Sequence, residues 1–312
     1  MKLRIGSRGS KLALWQAEHI RDRLAAFPGV DEVTLTIIKT TGDRVQDVAL
    51  SQVGGKGLFT KEIEEALLAK TIDLAVHSMK DMPSQLPAGL VLAAVPERAD
   101  PRDAWIVPHG GPSIGWDDLP AGAVVGTSSL RRAAQLRALR PDLSIVALRG
   151  NVDTRLRKLD EGVDGMRAIV LACAGLRRLG WGDRIDRAIP IDVMLPAVGQ
   201  GALAIEARGD DGAVLDLLVE ALDHAPTQLE TLAERAFLAR LEGGCQVPIA
   251  GHATLDASGA SLHLRGFVGR EDGSAVVRGE IHGVASRAPA LGEELAERLL
   301  AQGARALLDG PG

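Results

Sequence analysis

The stretch that decides the fold is AVVGTSSLRRAAQLRALRPDLSIVALRGNVDTRLRKLDEGVDGMRAIVLACAG, residues 123–175. Two helix-period segments, LRRAAQLRALR and NVDTRLRKLDEG, separate three short apolar runs, AVVG, SIVAL and AIVLACAG. Short apolar runs bounded by Gly, Ser and Asn read as buried strands, and longer periodic segments read as amphipathic helices. Such alternation predicts an α/β fold, with parallel strands covered by helices on both faces. The same rhythm runs through the first hundred residues. KLRIG precedes the helix-like SKLALWQAEHIRDRLAAF, VTLTIIKT follows, and the amphipathic KGLFTKEIEEALLAK leads into TIDLAVHS.

Two stretches break this rhythm, VPERADPRDA near Asp100 and LPAVGQGALAIEA near residue 200. They predict a chain that leaves a first domain, builds a second and returns. The expected boundaries are 1–99 with 201–222 for domain 1, 104–197 for domain 2 and 225–312 for domain 3. The last has a different pattern. A helix, the turn GGCQVP, then LHLRGFVG and AVVRGEIHG around EDGS predict a small α+β domain with an antiparallel sheet.

Composition narrows the function. The 312 residues are 46% hydrophobic and 25% charged, ordinary for a globular chain and enough for two or three domains. The N-terminal MKLRIGSRGS lacks the apolar core of a signal peptide and no run approaches a membrane span, so a soluble cytoplasmic protein is expected. Net charge is −5, yet the segment from Thr127 to Arg187 is cationic, with Lys and Arg outnumbering Asp and Glu. Only 3% of residues are aromatic and none is Tyr, so base stacking and a broad nucleic-acid surface are not expected. A localised anionic ligand fits better.

Ligands of open α/β sheets bind beyond the carboxyl ends of the strands. The residues following each predicted strand are polar, with an arginine or lysine past nearly every strand end: Arg8 and Ser10; Thr41 and Asp43; Ser78, Lys80 and Asp81; Thr127, Ser129, Arg131 and Arg132; Arg149, Asn151 and Arg155; Arg177 and Arg178. Helix-start N–H groups and guanidinium forks bind carboxylates and phosphates, so the set predicts a polyanion cleft between two domains. Ser129 and Asn151 are also plausible helix caps, and Arg137, Arg140 and Arg157 read as solvated helix faces. Asp81 is the one acid among these bases. It is either a structural ion partner or a carboxylate kept ionised to meet a ligand N–H.

VGGKGLFTKE, residues 53–62, lacks phosphate-loop spacing; its glycines around Lys56 suggest a mobile flap with Phe59 as an apolar plug. His77 and Ser78 are adjacent on a strand and so point to opposite faces, which argues against a hydrolytic pair. Two cysteines cannot make a disulfide framework, and no spacing indicates zinc. Cys173, inside an apolar run, reads as a buried thiol, whereas Cys245 sits on a Gly-Gly turn where burial explains it less well.

Taken together, SRGSKLALWQA, VGGKGLFTKE, DLAVHSMKDMP, ERADPRDA, VGTSSLRRAAQL, LRGNVDTRL, LPAVGQGALAIE and LEGGCQVP resemble the porphobilinogen deaminase (hydroxymethylbilane synthase) family in order and wording. The resemblance implies two domains like type II periplasmic binding proteins, hinged around a cleft, and a third carrying the cysteine. It implies a dipyrromethane cofactor held by a thioether to Cys245. Four porphobilinogens would be added head to tail, with ammonia released each time, and hydroxymethylbilane freed by hydrolysis. By the same likeness Lys80, Thr127, Ser129, Arg131 and Arg132 would hold the cofactor, and Arg8, Ser10, Arg149, Arg155 and Arg178 the substrate and chain end. Asp81 would be catalytic, steadying the azafulvene formed as ammonia leaves, and Gly55, Lys56, Gly57 and Phe59 would belong to the mobile loop. No metal, nucleic acid or membrane is implied, and a monomer is expected. The competing reading is a non-catalytic, two-lobed anion-binding protein, against which the lack of an export signal and the third domain count; Asp81 and Cys245 count against an inactive relative with another role.

Overall fold

The computed structural model of the chain describes residues 1–44, 59–242 and 247–309. The chain divides into two compact units, residues 1–99 with 202–229 and residues 100–201 with 230–312. The first unit is built on β1 (Lys2–Ser7), β2 (Glu32–Ile37), β3 (Leu74–Ser78), β4 (Leu90–Ala94) and β10 (Leu203–Arg208), in spatial order β2-β1-β3-β10-β4. β1 runs parallel to β2 and β3, while β10 is antiparallel to both neighbours. One face carries α1 (Lys11–Ala25) and α7 (Gly212–Leu222), whose Ala17, Ile20, Leu24, Leu218 and Leu222 close on Leu3, Ile5, Leu74, Val76 and Ile205. The other carries α3 (Lys61–Leu68), where Ile63 and Leu67 meet Ile72 and Ala75; a short α2 (Thr41–Arg44) precedes it.

The second unit repeats the plan. Its β5 (Asp103–Ile106), β6 (Val124–Gly126), β7 (Ser144–Val146), β8 (Met166–Ala172) and β9 (Arg187–Ala188) lie in the order β7-β6-β8-β5-β9. β6 is parallel to β7 and β8, and β5 is antiparallel to β8 and β9. Alternation along the strands separates two cores. Trp105, Val125, Ala168 and Val170 face Leu136 of α4 (Leu130–Leu139). Ala104, Ile106, Ile169 and Leu171 face Leu156 and Leu159 of α5 (Val152–Asp160) and Leu176 of α6 (Cys173–Arg178).

Both sheets are α/β with helices on either face, as expected, but neither is purely parallel. β5 directly follows the break at residues 95–102, and β10 follows the one at 195–202. Each enters its sheet from outside any strand–helix–strand unit, so nothing constrains it to run parallel.

The C-terminal residues form a meander of β11 (Ile249–Leu255), β12 (Ser261–Gly269) and β13 (Val276–Val284). α9 (Ala288–Ala301) packs Leu291, Leu295 and Leu299 on its inner face, and α10 (Ala304–Leu308) ends the chain described. α8 (Ala225–Arg240) supplies Phe237, whose ring lies so close to Gly266 that a Cβ there would meet Cζ at 2.7 Å.

Candidate functional site

In the first unit, β1 and β3 are adjacent and parallel, so their carboxyl ends emerge at one sheet edge. Arg8 directly follows β1, and Ser10 caps α1 by accepting from the Ala13 amide at 3.3 Å. The Arg8 guanidinium lies 4.1 Å from the centroid of the Phe59 ring. At the end of β3, a single 3-10 turn, Met79–Asp81, carries Lys80 and Asp81. Met79 is 1% exposed and Met82 5%, and these two apolar anchors hold the turn while Asp81 between them faces solvent. Asp81 makes no ion pair or hydrogen bond among the described residues, so the structural ion-partner reading finds no support there.

His77 and Ser78 do point apart. Ser78 accepts from the Gln16 side-chain amide at 2.9 Å, while His77 Nε2 lies 3.0 Å from the fully buried carboxylate of Glu206 on β10. Nearby Glu64 is pushed upward, first by burial and then by the charge of Glu206.

In the second unit the parallel strands β7, β6 and β8 present their carboxyl ends together. Thr127 is buried and its hydroxyl accepts from the Ser129 amide at 3.2 Å. Ser129 caps α4, accepting from the Arg132 amide. Asn151 takes the cap position of α5 without a side-chain hydrogen bond.

Sequence reading missed what Arg131 and Arg132 touch. Both are buried, 4% and 6% exposed, and both converge on Asp103, which is fully buried on β5. Arg131 donates to Asp103 Oδ2 at 2.6 Å and to the Leu195 carbonyl at 2.7 Å. Arg132 donates to Asp103 Oδ1 through Nε at 2.9 Å and to the Val170 carbonyl at 3.1 Å. The Gln200 amide adds a third donor to Asp103 at 2.9 Å. Burial alone would raise the Asp103 pKa; the two guanidiniums reverse this and hold it far below the ordinary range. The signal lay in an aspartate opening the apolar run DAWI, which needs a buried counter-charge.

Cationic capacity remains. Arg131 Nε is buried without a hydrogen-bond partner among the described residues. Arg155 donates to the Gly150 carbonyl at 2.7 Å and has no carboxylate partner among the described residues. Burial, then the charge of Arg132, pushes its pKa down to about 10. Arg178 donates to the Gly201 carbonyl at 2.7 Å, and burial pushes it down to about 10 as well. Both stay cationic at neutral pH, in surroundings that disfavour the charge; an anionic ligand would relieve this. Arg149 stands in the β7–α5 connection, where its carbonyl accepts from Lys158. Arg177, in contrast, is tied to Asp100 at 2.7 Å. Cys173 is fully buried and its thiol is pushed up to about 11, first by burial, so it is inert packing. Gly55, Lys56, Gly57 and Cys245 lie outside the described residues.

Among the described residues, Arg131 Nε and Arg155 leave donors for an anionic ligand. Residues 3–216 match the family model described as porphobilinogen deaminase, dipyromethane cofactor binding domain, and residues 228–301 match the porphobilinogen deaminase C-terminal domain. A porphobilinogen deaminase of Trichlorobacter lovleyi is 52% identical over 309 residues, covering 99% of this chain and 96% of that one. One from Desulforudis audaxviator is 53% identical over 312 residues, covering 97% and 96%. Among solved structures, the L-cystine solute receptor of Neisseria gonorrhoeae overlays 70% of this chain and 84% of its own at a TM-score of 0.41 and 12% identity. With both family domains matched in order and half the residues shared along nearly the whole length, the chain belongs to the porphobilinogen deaminase family.

Proposed function

We propose that Asp81 is the catalytic carboxylate of this chain and that Cys245 anchors its dipyrromethane. The activity itself follows from the family: a transferase that joins four porphobilinogens head to tail, releases ammonia at each addition and hydrolyses off hydroxymethylbilane. When bound, the dipyrromethane supplies the end onto which each unit is joined.

The observation that carries the reading is the state of Asp81. In a chain with 36 Lys and Arg, this exposed acid stands beside Lys80 yet has no partner among the described residues. A carboxylate so placed can accept from pyrrole N–H groups, stabilise the cation that develops as ammonia leaves, and pass the proton that the leaving amine requires. Lys80, Thr127, Ser129, Arg131 and Arg132 would hold the cofactor. Their donors are unequal: Arg131 Nε is spare, whereas the Arg132 fork is largely committed to Asp103. Arg8, Ser10, Arg149, Arg155 and Arg178 would take the carboxylates of substrate and growing chain, with Arg155 best supported by its lack of an acidic partner among the described residues. Phe59 lies against Arg8, and the mobile-loop role expected of Gly55, Lys56, Gly57 and Phe59 belongs to the same proposal.

The finer expectations belong to the same proposal: domains at 1–99 with 201–222, 104–197 and 225–312, and a cytoplasmic monomer that binds neither nucleic acid nor membrane. Among the described residues no helix is long and apolar enough to cross a membrane.

Intact-protein mass spectrometry of the denatured chain tests the anchor. The mass should exceed that of the bare polypeptide by two linked pyrrole units, and Cys245→Ser should remove the excess. Bare mass in the parent chain, purified from cells that make porphobilinogen, refutes the attachment.

A further inference from the structure

The outer face of the C-terminal sheet carries a cluster that the reaction does not use. Along β12, Leu262 and Leu264 are fully buried, so His263 and Arg265 point the other way. On β13, Ile281 is buried and Glu280 and His282 are exposed. The register pairs His263 with His282 and Arg265 with Glu280, which puts all four on one face.

The two imidazoles stack with centroids 3.9 Å apart and planes 10° from parallel. His263 Nε2 lies 3.0 Å from Glu280 Oε2. One ligand atom from each of His263, Glu280 and His282 lies within 4.8 Å of the others. Around a tetrahedral zinc ion, with Zn–N near ~2.0–2.1 Å, ligand atoms sit roughly 3.3–3.5 Å apart. Small side-chain rotations on a hydrogen-bonded sheet close that difference. Arg265 would oppose a cation, but its guanidinium is bonded to Asp192, which neutralises it locally and leaves Glu280 to the histidines.

We propose that His263, Glu280 and His282 form a binding site for a divalent transition-metal ion of the zinc class, with the fourth position left to water. Two nitrogens and one carboxylate oxygen favour zinc, copper(II) or nickel over magnesium or calcium. Two imidazoles stacked this closely repel if both are protonated; the neutral form is the metal-ligating one. Binding would replace the His263–Glu280 hydrogen bond and clamp β12 to β13, stabilising the folded chain by linkage.

The test uses the untagged full chain, stripped with chelator and dialysed against zinc chloride, with bound metal measured by elemental analysis. One zinc per chain is expected. His263→Ala with His282→Ala should abolish it, and Glu280→Gln should weaken it by at least the ~10–100-fold that loss of an outer-shell partner costs elsewhere. His224→Ala should leave it intact. Zinc retained by the double variant, or no zinc on the parent chain at millimolar zinc chloride, overturns the site. Cobalt(II) on the parent chain gives an independent reading that needs no variant. Visible bands without a thiolate-to-cobalt charge-transfer band support nitrogen and oxygen ligation; a thiolate band overturns it.

Discussion

Replacing Asp103 by Asn tests the account of the second unit most directly. The substitution keeps shape and removes charge. It leaves two guanidiniums, 4% and 6% exposed, without the carboxylate that each meets at 2.6–2.9 Å. Removing one partner from a buried ion pair costs about 3–5 kcal/mol, because the other charge stays buried and uncompensated. Here two charges are stranded, while the Leu195 and Val170 carbonyls still accept from them, so the loss should fall in that range rather than double it. A domain is stable by roughly 5–15 kcal/mol, so such a loss is a large share of the whole. Urea unfolding at neutral pH, followed by circular dichroism, should show a much lower midpoint. The pH dependence has a defined sign. The folded pKa of Asp103 is depressed, so its contribution is present above the unfolded value near ~3.9 and is lost only as pH falls towards the folded one. The gap between parent and variant should therefore hold from neutral pH to about pH 4 and narrow below that. A variant within about 1 kcal/mol of the parent would refute the claim that Asp103 holds the two arginines.

Three further outcomes are expected. Asp81→Asn should leave the covalent mass unchanged and lower the rate of porphobilinogen consumption by at least ~100-fold, the lower end for a general acid–base group; a near-parental rate removes Asp81 from its role. Asp100, despite burial that opposes it, is held at about 2 by hydrogen bonds from Arg102 and Arg177. Its depressed pKa stabilises the fold above the unfolded value near ~3.9, so the stability difference between the parent and Asp100→Asn should shrink as pH falls from about 4 to about 2, as measured by thermal unfolding. Gly292→Ala should destabilise although alanine is the better helix former, because the new Cβ would fall on the Ala233 carbonyl oxygen and within 2.7 Å of the Phe237 nitrogen. A loss of about 1–3 kcal/mol in chemical unfolding is expected, and a gain would show that α8 and α9 part more easily than their spacing implies.

Much of this was legible before any coordinates. The strand–helix alternation of residues 123–175 gave β6, α4, β7, α5 and β8 in order. Ser129 and Asn151 announced helix starts, and the isolation of Cys173 in an apolar run announced its burial. The direction of β5 and β10 was not legible, because a short apolar run reads the same whichever way it is threaded. β4 was missed in GLVLAAV, and the two-residue β9 has no periodicity to detect. The partner of Arg131 and Arg132 was hidden for a different reason. Local pattern marks an arginine at a helix start but not which way its fork turns, and Asp103 lies 28 and 29 residues away in sequence.

That hidden partner changes how the charge of this region should be counted. The segment from Thr127 to Arg187 looks strongly cationic, yet its main counter-ions stand just upstream of it. Asp103 occupies Arg131 and Arg132, and Asp100 occupies Arg177. Within the segment, Arg140 pairs with Asp142, Arg157 with Glu161 and Arg184 with Asp160. A count of basic residues is therefore a coarse guide to where an anion binds, since several of them are already paired by the fold. The better guide is a guanidinium that is desolvated and still lacks a carboxylate. Arg155 meets that condition, being pushed down to about 10 by burial and by Arg132 with only the Gly150 carbonyl as its acceptor among the described residues. Asp81 is its counterpart of opposite sign in the first unit, a carboxylate that the fold leaves without a cation among the described residues. Arg155 and Asp81 are therefore the residues on which the proposed assignment to a ligand chiefly rests.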